Sequence, residues 1–528
     1  MKKRGSHFSL GLRDYGLAVL SGGITALAFP KFRLFFLAWV CLIPLIGTIL
    51  KKKPGQAFRL GMAAGFVFYA VLLYWLPAVP AHYGNLSWGF SFFIYLVLAL
   101  YLSLFWGGFS AVTAHIARRY PLAVYLLIPF IWTAFEYLIT HVLTGFPWGI
   151  LGYSQQPNIY FIQSAAVFGV YGISFVLLLF QSLFLCSMRL GKKSPFLSAV
   201  AFVLFIHSAG FLVLQHPVER AGAIQAGVVQ GNVSSEVYWN GITEADKWEL
   251  LNRHLDLSDT LLSKGADLII WPEFSVSLCF SCDYGLYKDF RRILEDYART
   301  NDVSFLLGTN EISEKPDRFL YYNTALSLNP SGEITRYSKM HLVPFGEYTP
   351  YKWVFGFIER LTHAIGELTP GESYTLHSVR GTHFGTPICY EIIFPNLVRG
   401  FAARGARFLV TITDDGWFGT SAAPYQHFAM AVFRAVENRR PLLRAATTGI
   451  SGVIDPYGRV MEKSELNTRV SLTAEISPIE TKTLYTRWGD VLPFISLTLL
   501  VIFLILASFK RQALNIKPPE SGIRGNDE

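Results

Sequence analysis

Three short stretches carry the side chains best suited to acyl or amide chemistry. They are "IIWPEFS" with Glu273, "YSKMHLVPFGE" with Lys339 and Glu347, and "TPICYE" with Cys389, followed closely by Glu391. A free thiol titrates near pH 8.5, so only a few per cent is thiolate at neutral pH. A nearby carboxylate can take its proton during attack, and a nearby ammonium favours negative charge on sulfur and on a tetrahedral oxyanion. Singly, each residue has an ordinary reading: a solvated glutamate cap, a surface lysine, a buried cysteine. Together they supply a nucleophile, a base and a cation. A Cys-His pair is the competing arrangement, because His341 and His383 stand close in sequence to Lys339 and Cys389; the three stretches explain more residues.

Each group lies just beyond an element that can hold it. Strand-like runs recur at 221–230, 266–273, 303–309, 324–330, 383–391 and 406–414, several rich in β-branched residues and bounded by turn formers. Between the early strands, Trp248, Leu251, Leu255 and Leu262 share one face of a helix predicted over 243–264. Leu286, Phe290, Ile293, Leu294 and Tyr297 do the same over 284–300. "NPSGE" at 329–333 and "DPYGR" at 455–459 read as hairpin turns. Alternating strands and helices followed by hairpins imply an α/β layered sandwich.

The rest of the chain is too apolar for an ordinary soluble protein: 528 residues, 52% hydrophobic, 16% charged, mean hydropathy +0.35. Apolar runs near 15–30, 34–50, 60–79, 88–116, 122–141, 160–188, 195–214 and 490–508 suggest about eight membrane-spanning helices. The expected organisation is a helical bundle over 1–217, the α/β domain over 218–485, and a last span with its tail over 486–528. The basic start resembles a signal peptide, but a second apolar run follows within a few residues, which argues against cleavage.

Basic residues flank the runs asymmetrically. Lys2, Lys3, Arg4 and Arg13, then Lys51, Lys52, Lys53 and Arg59, then Arg118 and Arg119, then Arg189, Lys192 and Lys193 fall on one side; Lys31 and Arg33 break the pattern. The positive-inside bias puts that side in the cytoplasm and the α/β domain outside. It also explains much of the +9 net charge without nucleic acid. The five cysteines make no disulfide framework. Cys41 and Cys186 sit in apolar runs, and Cys279 and Cys282 form a lone C-x-x-C, either a local disulfide or two loop thiols. No cluster has metal-ligand spacing and no glycine-rich phosphate loop appears, so neither metal nor cofactor is expected.

The order of the three reactive stretches resembles the Cys-Glu-Lys triad of the nitrilase superfamily. With "VVQGN" at 228–232, "WPE" at 271–273, "KMHLVPFGEYTP" at 339–350, "CYE" at 389–391, "DDGWFG" at 414–419 and "ENRRPLLRAATTG" at 437–449, the chain resembles the membrane-bound branch, the apolipoprotein N-acyltransferases, over nearly its whole length. The resemblance implies a nitrilase-like αββα sandwich on the periplasmic side of a bacterial inner membrane. It makes Cys389 the nucleophile, Glu273 the general base and Lys339 the electrostatic partner. Glu347, Tyr390 and Glu391 become supporting active-site residues, and Trp239 a substrate contact. The implied substrates are a phospholipid acyl donor, commonly phosphatidylethanolamine, and the α-amine of a diacylglyceryl-lipoprotein, joined by a thioester cycle. The apolar run at 351–365, with Trp353, Phe355, Phe357, Ile358 and Leu361, reads either as ordinary core or, the favoured reading, as a flap dipping into the membrane surface.

Two other functions fit parts of the sequence. A membrane-anchored nitrilase-type amidase would use the same triad, yet so many spans are excessive for an anchor. A transporter with an external binding domain would usually place charged or broken helices at mid-membrane. Gly22, Gly23, Gly107 and Gly108 read either as such breaks or as sites of close helix packing.

Overall fold

The computed structural model describes residues 10–215, 222–233, 243–282, 285–355 and 367–515. Among the described residues, six helices are long and apolar enough to cross a membrane: Pro54–Leu72, Trp88–Ala117, Val124–His141, Ala165–Leu190, Ser194–Gln215 and Val491–Ser508. The two earliest apolar runs fold differently. The first forms Leu12–Leu27, 16 residues. The second breaks into a 3₁₀ turn, Phe35–Trp39, and the helix Ile43–Ile49. Pro44 explains the break, since a proline is tolerated in a first helical turn but not inside one.

Leu12–Leu27 packs against Pro54–Leu72 at Gly22, where a Cβ would lie 2.1 Å from the Ala64 carbonyl oxygen. Trp88–Ala117 runs unbroken through Gly107 and Gly108. These glycines therefore serve close packing, and Gly23 has open space beside it.

The strands are β1 (Ile224–Gln230), β2 (Leu268–Ile270), β3 (Val276–Cys279), β4 (Ser304–Lys315), β5 (Arg318–Leu328), β6 (Ile334–Ser338), β7 (Leu376–Val379), β8 (Thr382–Gly385), β9 (Phe408–Thr413), β10 (Leu442–Ala446), β11 (Gly452–Ile454), β12 (Val460–Lys463) and β13 (Val470–Ile476). They make two sheets. One has the order β13-β1-β2-β4-β5-β6 with β3 beside β4; the other runs β12-β11-β10-β9-β8-β7. Both expected hairpin turns close antiparallel pairs, β5 with β6 and β11 with β12.

Side chains alternate along a strand, so the first sheet has two buried faces. Ala226, Val228, Leu268, Ile270 and Leu306 join the core between the sheets, with Phe408, Val410 and Ile412 opposite. Val229, Ile269, Phe305 and Leu307 face outward onto the helices Glu244–Leu262 and Gly285–Asn301, meeting Leu251, Leu261, Phe290 and Leu294. These two helices match those predicted from apolar spacing.

Helices Pro395–Ala403 and Ala423–Asn438 cover the other sheet, completing an αββα sandwich. In Ala423–Asn438 every residue but Tyr425 is buried. Its inner side packs on the sheet and its outer side seats the sandwich on the bundle. Arg434 Nη2 donates to the Tyr153 hydroxyl at 2.9 Å, and Glu437 Oε1 accepts from Val170 N at 2.9 Å. That amide is freed because Ala165–Leu190 kinks at Phe168 and Gly169, whose φ of +64° leaves the helical range.

Candidate active site

β2 ends at Ile270, and the chain continues through buried Trp271, pinned by a 3.0 Å bond from its Nε1 to Ser258 Oγ, to Glu273. Neighbouring β4 passes so close that a Cβ at Gly308 would lie 2.5 Å from the Glu273 Cα. The Glu273 carboxylate is buried but well partnered. Oε2 accepts from the Asp414 amide at 2.7 Å, and Oε1 from Asn323 Nδ2 at 2.7 Å.

Lys339 follows β6 and is fixed by its own backbone: its amide donates to the Asn323 carbonyl and its carbonyl accepts from Gly371 N, both at 2.8 Å. Its Nζ lies 2.8 Å from Glu347 Oε1 and 3.5 Å from Glu273 Oε1. Burial opposes the charge, but Glu347, Glu273 and the neighbouring Cys389 outweigh it and hold the ammonium above the usual lysine range. Glu347 is held by the turn it closes, Oε2 accepting from Val343 N at 2.7 Å. Asn323 Nδ2 bridges the two carboxylates, 3.0 Å from Glu347 Oε1.

The strand expected over 383–391 stops earlier. β8 ends at Gly385, Ile388 bridges Ile412 of β9, and a 3₁₀ turn starts at Cys389. Cys389 has φ +48°. For a residue with a Cβ this left-handed conformation costs about 1–2 kcal/mol, so its surroundings must impose it. Glu391 does part of this. Its Oε2 accepts from Ile388 N (2.8 Å), and its Oε1 accepts from Met340 N (2.7 Å), His341 N (3.1 Å) and Tyr337 OH (2.8 Å). Burial pushes its acid up to about 7 against these donors. One carboxylate thereby ties the cysteine turn to the segment after Lys339. Tyr390 reaches the other way, its hydroxyl donating to the Gly145 carbonyl of the bundle at 3.2 Å.

Burial, then the Glu273 charge, raise the Cys389 thiol well above its ordinary value; the Lys339 ammonium and a hydrogen bond with the Thr413 side chain act against them. Glu273, Lys339 and Cys389 thus share one pocket at the ends of β2, β6 and β8, with Glu347, Tyr390 and Glu391 around them. The shift holds the thiol toward its protonated form, with the Glu273 carboxylate and the Lys339 ammonium beside it.

Neither His341 nor His383 forms a pair with the Cys389 thiol among the hydrogen bonds of the described residues. His383 is exposed on β8. His341 stacks on Phe394 at a centroid distance of 3.9 Å and is lowered to about 4 by burial and Lys339. Trp239 lies outside the described residues, as do Phe357, Ile358 and Leu361 of the expected flap; Trp353 is exposed. Cys279 and Cys282 form a disulfide. Asn323, Thr413 and His427 also reach this neighbourhood and are not among the candidates the sequence offers. Asn323 carries no motif signal, whereas "DDGWFG" and "ENRRPLLRAATTG" flagged the neighbourhood of the other two.

A cleft of about 1240 Å³ opens between bundle and sandwich. It is lined by Thr140 and Leu143 from the bundle and by Met340, His341, Phe394 and Leu368 from the sandwich. It borders the pocket through Met340, His341 and Phe394, the residues next to Lys339 and to the cysteine turn, rather than through the three reactive side chains themselves.

Residues 21–183 match the family model described as "Apolipoprotein N-acyltransferase N-terminal domain", and residues 225–484 match the one described as "Carbon-nitrogen hydrolase". The chain is 34% identical over 516 residues to the apolipoprotein N-acyltransferase of Geobacter metallireducens, covering 95% of this chain and 96% of that protein. The apolipoprotein N-acyltransferase of Coxiella burnetii is 29% identical, with 93% and 99% covered. Among solved structures, Saccharomyces cerevisiae Nit3, a member of branch 10 of the nitrilase superfamily, is a distant likeness: 19% identity, 58% of this chain and 100% of that one, TM-score 0.39.

Proposed function

The chain belongs to the apolipoprotein N-acyltransferases, and from that membership we propose that it moves an acyl chain from a membrane phospholipid to the α-amino group of a diacylglyceryl-cysteine through Cys389. The observation that carries this reading is the convergence of Glu273, Lys339 and Cys389 on one pocket beside a membrane bundle.

In the proposed cycle Glu273 takes the Cys389 proton as sulfur attacks the ester carbonyl of the donor, commonly phosphatidylethanolamine. Lys339 stabilises the oxyanion, the lysophospholipid alkoxide leaves with the proton returned by Glu273, and a thioester remains on Cys389. The lipoprotein amine then attacks the thioester, Glu273 accepts its proton, and the amide forms as the thiol is restored. The cleft that borders the pocket, lined in part by Leu143, Met340, Leu368 and Phe394, supports an approach of acyl chains from the bundle side.

Helix polarity supports placing the sandwich outside the cytoplasm. Pro54–Leu72 begins after Lys51, Lys52 and Lys53 and ends at Leu72, whose carbonyl contacts Gln426 of the sandwich. Nineteen residues of helix span about 28 Å, so the lysines lie at the far end of the bundle. Arg118, Arg119 and Arg189 also end helices, and Lys192 and Lys193 precede one that runs toward β1. The exceptions point the other way: Lys31 Nζ donates to the Thr420 carbonyl of the sandwich at 3.4 Å. With basic residues facing the cytoplasm, the pocket opens on the periplasmic side of an inner membrane.

Purified protein supplied with a fluorescent phospholipid and a diacylated lipopeptide tests the proposal. Triacylated peptide, lost on Cys389→Ser, is expected; free fatty acid without N-acyl peptide would replace this reading with the amidase one.

A further inference from the structure

The helix Ala423–Asn438 carries two consecutive side chains that engage different parts of the molecule. Gln426 is held by the bundle. Its Nε2 donates to the Pro30 carbonyl at 3.0 Å and the Leu72 carbonyl at 3.2 Å, and its Oε1 accepts from Trp148 Nε1 at 2.7 Å and Trp75 Nε1 at 3.3 Å. The next residue, buried His427, faces the cysteine turn. Its Nε2 lies 3.2 Å from the Cys389 carbonyl oxygen, and its Nδ1 lies 2.9 Å from Asp415 Oδ1 and 3.0 Å from Arg444 Nη2. Arg444 Nη2 in turn donates to Asp415 Oδ2 at 2.7 Å.

A carbonyl only accepts, so the bond to Cys389 requires a proton on Nε2. The neutral ring then accepts from Arg444 at Nδ1, and the imidazolium donates to Asp415 there. Either form keeps Nε2–H on the Cys389 carbonyl. Trp148 of the bundle, already bonded to Gln426, stacks on the His427 ring with centroids 5.6 Å apart and planes 27° from parallel. Asp415, Arg444 and the bundle therefore fix the ring, and the ring holds the carbonyl of a residue whose φ is left-handed.

We infer that His427 is a positioning residue for Cys389, and that Gln426 couples its placement to the membrane bundle, so that the thiol is aligned when the sandwich is seated on the helices. The inference rests on Cys389 being the nucleophile. Misplacing a reacting group by an ångström typically lowers rate about 10²-fold without touching substrate affinity to the same degree.

The test measures, in the full-length protein, the rate of Cys389 thioester formation from phospholipid alone at saturating donor, together with the half-saturating donor concentration and the melting temperature. His427→Leu is expected to lower the limiting rate about 10²-fold with little change in half-saturation. His427→Gln, whose amide can still donate to the carbonyl, should recover much of it. Gln426→Leu should lower the limiting rate in the same sense.

His427→Leu acylating at the unmodified rate overturns the positioning role. So does an equal loss in both His427 variants that follows their melting temperatures. Gln426→Leu at the unmodified rate overturns the coupling to the bundle. Cys389→Ala is the separate control: if it still makes N-acylated product, the nucleophile assignment fails instead.

Discussion

The Lys339 ammonium sits closer to Glu347, at 2.8 Å, than to Glu273, at 3.5 Å. The first contact matches the lysine's charge, while Glu273 is held in addition by Asn323 Nδ2 and the Asp414 amide. A lone buried ammonium would tend to neutralise; here two carboxylates prevent it.

Lys339→Met removes the cation and leaves two buried carboxylates facing each other. Loss of one oxyanion-stabilising group typically costs about 10²–10³ in turnover, and steady-state transfer should fall at least that far. Lysopholipid release measured against time checks it; a variant retaining a tenth of the activity would remove Lys339 from the chemistry.

Asn323→Leu should act through the carboxylates. Its Nδ2 bridges Glu273 and Glu347, and a buried carboxylate stripped of such a donor loses about 1–3 kcal/mol of stabilisation of its charged form. Transfer by Asn323→Leu should therefore fall, because the donor that holds both carboxylates beside Lys339 is gone. Unchanged transfer in a variant that folds normally would take Asn323 out of the site.

Glu391→Gln keeps shape and loses acceptor capacity. Three donors converge on Oε1 and one on Oε2, so an amide NH₂ in either place meets an N–H or O–H head-on. Thermal melts should show a loss of about 1–3 kcal/mol, and the strained cysteine turn should acylate poorly. Normal stability and normal acylation together would contradict this account of the turn.

The raised thiol value sets a pH dependence. Cys389 holds its proton more tightly folded than unfolded, so its contribution to stability is present below the ordinary thiol pKa, about 8.5, and is lost as pH rises through the higher folded value. Iodoacetamide labelling of the resting enzyme should be slow at pH 7–8 and still rising beyond the ordinary thiol range. Lys339 lowers the thiol value, so Lys339→Met should label more slowly still. A labelling plateau at neutral pH would mean a thiolate in the resting state.

The convergence of Glu273, Lys339 and Cys389 is legible because each sits in a short motif, and the helices Glu244–Leu262 and Gly285–Asn301 are legible because their apolar residues recur at helical spacing. Other features depend on contacts that no local pattern reveals. Asn323 reaches the carboxylates only because β5 pairs with β4 and β6 in one register. The cysteine turn reads as a continuing strand until Glu391 is seen drawing it back toward Met340. The second apolar run looks long enough to span, and its division at Pro44 separates length from continuity. Gln426 reads as an ordinary polar helix residue, and its role appears only with the bundle packed against it.

The most direct measurement is the intact mass of the protein after incubation with phospholipid and no lipoprotein acceptor. A single acyl increment, mapped to Cys389, released by hydroxylamine, absent in Cys389→Ser and discharged on adding diacylated lipopeptide, is the predicted result. Normal transfer with no adduct at Cys389 under any donor concentration would contradict the account.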